Sequence, residues 1–116
     1  MPDFEVIYYT KKNGDSPAKD FLDSLDEKMA AKMLRAINRL EEAGASLREP
    51  YSKPLGDGIF ELRTQFSTDI ARVLYFFIIN NRAVLTHGFI KKTQKTPPQE
   101  IEKAKRYRKD YLQRSE

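Results

Sequence analysis

The stretch "IARVLYFFII" (70–79) constrains the fold of this chain more than any other. Apolar residues stand at both odd and even positions, so a strand here presents two faces that both need a core. Such a strand must lie inside a sheet and be covered on both sides. Its flanks are strand-like too: "IFELRTQF" (59–66) before it and "RAVLTHGFI" (82–90) after it. The connections "STD" and "NN" suit antiparallel hairpins. In the first of these strands Phe60, Leu62, Thr64 and Phe66 share one face, and Glu61 and Arg63 take the other.

The remaining segments supply the cover. "FEVIYYT" (4–10) reads as a strand, rich in β-branched and aromatic residues. Ser16 followed by Pro17 predicts a helix start and a short helix over 16–24. "SLDEKMAAKMLRAINRLEEAG" then carries Ala30, Met33, Leu34, Ile37 and Leu40 at helical spacing, with Gly44 as the stop. "ASLREPYSKPLGDG" (45–58) is broken by Pro50, Pro54, Gly56 and Gly58 and reads as an extended loop. "TPPQEIEKAKRYRKDYLQRS" opens with a Thr96-x-x-Gln99 capping box and continues as a basic terminal helix. The expected order is β-α-α-β-β-β-α, an α+β class fold. An N-terminal helical hairpin and a C-terminal helix pack on a mostly antiparallel sheet.

At 116 residues the chain is expected to form one domain spanning 1–116. No window approaches the roughly 18 apolar residues of a membrane span, and the N-terminus lacks a secretory layout. With no cysteine and one histidine, neither disulfides nor a zinc site are expected, and a cytoplasmic location is. No Gly-rich phosphate loop or paired carboxylate set occurs, so neither a cofactor nor a metal is expected. Charge is uneven. Residues 1–58 hold 9 Lys/Arg against 11 Asp/Glu, and residues 59–116 hold 12 against 6. A basic C-terminal half points to a polyanionic partner.

The candidate functional residues interrupt or extend the buried strands. Arg72 shares a strand face with Ile70, Leu74, Phe76 and Ile78, so its guanidinium must reach a carboxylate, a phosphate or the sheet edge. A structural ion pair with Glu61 or Asp69 satisfies this as well as a ligand does. Arg63 is either an exposed arginine or a phosphate contact. His87, expected on one face with Leu85 and Phe89, is either a packed histidine or a proton shuttle. Lys91, Lys92 and Lys95 in "GFIKKTQKTP" (88–97) are either solvated or phosphate-binding. Together, two arginines, three lysines and one imidazole on neighbouring strands suit RNA cleavage without a metal. Cations stabilise the phosphorane and one or two groups move protons.

"KPLGDGIFELRTQFSTDIARVLYFF" and "VLTHGFIKKTQKTPPQEIEKAKRYRKDY" resemble the phage-derived, HigB-like branch of the RelE/ParE toxin superfamily of type II toxin–antitoxin systems. The resemblance covers nearly the whole chain, on the "LGDGIFELR", "ARVLY" and "GFIKKTQKTP" blocks. It implies a RelE-like fold and a ribosome-dependent mRNA endonuclease that stops translation. It also implies a helix-turn-helix, HigA-like antitoxin, through which alone operator DNA is bound. Carried over by motif, Arg63, Arg72, His87, Lys91 and Lys92 form the catalytic set and Lys95 belongs to the same basic cluster; Lys53, Lys95 and Arg106 are the candidates for binding RNA. Tyr107 and Tyr111 are candidates for a tyrosine that some relatives carry near the C-terminus, and Tyr51 is a candidate contributor from the loop before the strands. The competing expectations are a ParE-like gyrase poison without nuclease chemistry and a non-catalytic nucleic-acid-binding module.

Overall fold

The computed structural model describes residues 4–114. Its elements are β1 (Glu5–Tyr8), α1 (Pro17–Ser24), α2 (Glu27–Ala43), β2 (Ser52–Gly56), β3 (Ile59–Phe66), β4 (Asp69–Ile78), β5 (Arg82–Lys91) and α3 (Pro98–Arg114). The strands form one sheet in the order β1-β5-β4-β3-β2. Only β1 and β5 run parallel; the other pairs are antiparallel. The chain is therefore α+β, with three helices on a mostly antiparallel sheet.

β4 is the central strand, as its two apolar faces require. Ala71, Val73 and Tyr75 join Leu62, Ala83 and Leu85 beneath Met29, Met33, Ala36, Ile37 and Leu40 of α2 and Ala18 of α1. Leu74 and Phe76 on the other face join Ile59 and Val84 against Ala104 of α3, with Tyr107 and Tyr111 at the margin. α2 starts at Asp26, whose side chain accepts a hydrogen bond from the Met29 amide at 2.8 Å. It ends at Gly44, where φ is 56° and a Cβ would fall 1.8 Å from the Phe4 ring.

Four strands were expected, and the described residues form five. β2 lies within the stretch expected to be a loop. It is an edge strand, which tolerates Pro54 because one side of it makes no ladder, and the pairing is irregular between Pro54 and Gly56. Two cap expectations also change. Ser16 holds the N-cap position of α1, but its hydroxyl donates to the Tyr9 carbonyl at 2.9 Å. The Thr96 hydroxyl donates to Glu61 Oε1, so it closes no capping box, and α3 begins at Pro98.

The register places the candidate residues. Arg63 and Arg72 are partners across β3 and β4, and Arg72 is the partner of Phe89 across β4 and β5. His87 does not share a face with Leu85. Leu74 pairs with His87 while Tyr75 pairs with Leu85, so Thr86 is an extra residue on β5. This bulge sends Leu85 to the α2 side and His87 to the α3 side.

Candidate nucleic-acid interface

Glu61 lies at the centre of a buried charged cluster. It is 0% exposed, as is Arg72, and a buried charge is tolerated only when paired. Arg72 Nε stands 3.7 Å from Glu61 Oε1, and Arg63 Nε stands 3.3 Å from Glu61 Oε2. Glu61 Oε2 and Arg72 Nε make no hydrogen bond of good geometry among the described residues, so charge holds these contacts. Burial pushes the Arg72 pKa down, against the pull of Glu61 and with the push of Arg63; a guanidinium nevertheless stays protonated in a protein.

The other two Arg72 nitrogens point into the segment after β5. Nη1 donates to the Lys95 carbonyl at 3.1 Å and Nη2 donates to the Thr93 carbonyl. With Thr96 bonded to Glu61, the segment that carries the lysines is tied to the sheet from beneath. Arg72 is thus sealed below that segment and does not reach the surface. Arg63 does, with 17% of its side chain exposed, and its Nη2 donates to Gln94 Oε1 at 2.5 Å. Lys91, Lys92 and Lys95 are exposed, and Lys92 faces Asp69 at 3.7 Å in an open pair worth little.

From Arg63 an open groove of about 420 Å³ runs between α2 and the β3 edge. Lys32, Arg35, Arg39, Tyr51, Arg63 and Gln94 are among its lining residues, and no carboxylate lines it. The Arg39 guanidinium lies 4.3 Å over the exposed Tyr51 ring. Lys32 Nζ donates to the Gln65 carbonyl at 2.8 Å and stands 5.6 Å over the Phe66 ring. Four cations beside an exposed aromatic ring form the arrangement that a single-stranded nucleic acid uses, with phosphates on the charges and bases on the ring. Sequence reasoning missed Lys32, Arg35 and Arg39. Their spacing of three and four puts them on one helical face, a signal overlooked beside the apolar stripe of the same helix.

His87 lies elsewhere. It is 4% exposed, between β5 and α3, with Nε2 2.9 Å from Glu100 Oε1 and Nδ1 3.1 Å from Thr86 Oγ1. Burial pushes its pKa down, and the Glu100 carboxylate pulls the other way. The Thr86 hydroxyl also lies 3.1 Å from the Leu74 carbonyl, and it donates to one of these two acceptors. Both ring nitrogens are engaged and the ring is enclosed, so His87 stands apart from the groove. Tyr107 is stacked on Tyr9 at 4.8 Å and Tyr111 packs edge-on to Phe76 at 6.0 Å, so of the three candidate tyrosines Tyr51 alone lines the groove. Lys53 is exposed on β2 as the register partner of Glu61, and Arg106 is exposed on α3. The structure brings Arg63, Arg72 and the lysine segment together and leaves His87 and Arg106 outside the groove.

Among the described residues no three His, Asp or Glu side chains come together as a metal site. No helix among them is long and apolar enough to cross a membrane. No curated protein matches the chain at a significant level. Residues 20–109 match the family described as "Phage derived protein Gp49-like (DUF891)", a span that holds α2, the groove, the charged cluster and the lysine segment. The chain belongs to the Gp49-like family of phage-derived proteins.

Proposed function

We propose that this protein is the toxin of a type II toxin–antitoxin system and that it cuts mRNA on the ribosome. The observation that carries this reading is the acid-free groove, in which Lys32, Arg35, Arg39 and Arg63 converge beside Tyr51. Membership of a phage-derived family and the resemblance of the "GIFELR", "ARVLY" and "GFIKKTQKTP" blocks to HigB-like toxins of RelE-like fold support it. The partners of this reading are the ribosome with its mRNA and a helix-turn-helix antitoxin.

In the reaction the RNA 2′-hydroxyl loses its proton and its oxygen bonds to the adjacent phosphorus. The bond from phosphorus to the 5′ oxygen then breaks, and that oxygen takes up a proton. Arg63 in the groove and the exposed lysines of the segment that carries Gln94 stabilise the charge that builds on the phosphoryl oxygens. Proton transfer falls to groups that reach the surface, Lys91, Lys92, Lys95 or Tyr51. His87 supports α3 from within the fold. Arg72 acts through the segment it anchors.

The test is to induce the protein in growing cells and map RNA ends on transcripts with intact or disabled start codons. New 5′ ends confined to translated transcripts are the expected result. Growth arrest with intact mRNA and gyrase-dependent DNA breaks would overturn it in favour of a gyrase poison.

A further inference from the structure

The carbonyls of Thr93 and Lys95 both accept hydrogen bonds from the buried Arg72 guanidinium. In a trans peptide the N–H points opposite to the carbonyl. Among the described residues the cis peptide is Glu49–Pro50, so the two peptides after Thr93 and Lys95 are trans. The amides of Gln94 and Thr96 are therefore aimed away from Arg72. Among the described residues neither amide has an acceptor. Thr96 as a residue is only 6% exposed, and a backbone amide with no protein acceptor is left to an ordered water or a ligand.

The charge at this corner matches the direction of those dipoles. Two carboxylates, Glu61 and Asp69, stand against two guanidiniums and the three ammoniums of Lys91, Lys92 and Lys95 on one short segment. Backbone amides turned outward beside cations favour an anion, as main-chain N–H groups do in other anion-binding concavities. We propose that the N–H groups of Gln94 and Thr96, on either side of Lys95 in the chain, form a cradle for the non-bridging oxygens of an RNA phosphodiester. Arg72 and Glu61 are the positioning residues that hold its peptides in this orientation. The inference rests on the RNA reading of the same groove and adds the backbone as the ligand for phosphate. Fixed amides suit this task because they need no reorganisation when charge develops on the oxygen.

The test uses nitrogen-15-labelled protein and an RNA oligonucleotide that is 2′-O-methylated throughout, which binds but cannot be cut. The Gln94 and Thr96 amide protons are expected to move downfield along one saturating curve. Inorganic phosphate in a parallel titration is expected to move the same two amides only at far higher concentration. Oligonucleotide binding with both amides unmoved overturns the proposal, and so does movement with phosphate but not with RNA. A pair of variants gives a second reading, because Gln94→Pro and Gln94→Ala both lose the side chain and only the first loses the N–H. The proline variant is expected to bind about tenfold more weakly than the alanine variant, as loss of one hydrogen bond to a charged group implies. Equal affinities of two folded variants overturn the proposal; should Gln94→Pro fail to fold, the labelled unaltered chain decides. Failure of the nuclease reading is separable, since uncut mRNA in cells leaves binding of the methylated RNA untouched.

Discussion

Arg63 and Arg72 stand directly opposite each other on β3 and β4, and the carboxylate of Glu61 lies between their guanidiniums. Two like charges in register on one face repel unless something separates them. Glu61 does so, and it divides their roles. Arg63 extends to the groove, whereas Arg72 turns inward to the carbonyls of Thr93 and Lys95.

Removing either side of the buried pair strands the other. Arg72→Ala and Glu61→Ala are each expected to destabilise the fold by about 3–5 kcal/mol. The double variant is expected to be less destabilised than the sum, by about 0.5–3 kcal/mol. Urea denaturation of the four proteins closes this cycle. Additive losses would mean that Arg72 and Glu61 do not act as a unit, and Arg72→Ala toxicity assays need this stability control.

Charge reversal in the groove separates binding from folding. Arg35 and Arg39 are exposed, so Arg35→Glu with Arg39→Glu should leave the melting temperature within a few degrees of the parent. Affinity for single-stranded RNA should fall at low salt. The slope of log K against log salt should shrink by about 1.4 if each arginine neutralises one phosphate. An unchanged slope would remove α2 from the RNA path.

The His87 imidazole provides a pH signature of the α3 contact. Burial holds its pKa below the ordinary 6.5, with Glu100 opposing and the charges of Lys103 and Arg106 adding to the depression. Below 6.5 the unfolded chain binds a proton that the folded chain resists. The contribution is therefore complete above pH 6.5 and is lost as pH falls through the lowered folded value. The slope is at most about 1.4 kcal/mol per pH unit. His87→Phe should flatten this part of the stability profile between about pH 5 and 7, as seen by urea titration at several pH values. A profile identical to the parent would show that another group sets the acid limb.

Gly88 of the "HGF" motif is a packing residue. A Cβ there would fall 2.2 Å from Cδ2 of Phe21 on α1. Gly88→Ala must push the Phe21 ring out of its seat, and overpacking of this kind costs about 1–3 kcal/mol. Gly88→Ala with Phe21→Leu, which clears the space, should be more stable than Gly88→Ala alone in thermal melts. If the double variant is the less stable, contact with Phe21 is not what requires glycine.

Much of the sheet was legible because its signals are local. The double-faced apolar run of β4, the short hairpins on either side and the stripe of α2 depend on neighbours a few residues apart. β2 was not, because Pro54 and Gly56 mark a break and only pairing with β3 makes the segment a strand. The switch of His87 to the α3 side was hidden too, since a strand's alternation shows no bulge until the partner's register is known. Arg72 is a third case. Its sequence context demanded an anion but did not choose between Glu61 and phosphate.

By itself the sequence determined the α+β class, the central place of β4 and the concentration of cations in the second half. Local propensity and periodicity are sufficient for these. Only the tertiary structure decided which cations face outward. Burial of Glu61 captured Arg72 and shared Arg63, the bulge at Thr86 sent His87 under α3, and helix packing brought Lys32, Arg35 and Arg39 to the groove. Each outcome depends on which distant groups meet in a low-dielectric interior, where a charge must find its partner before it can serve a ligand.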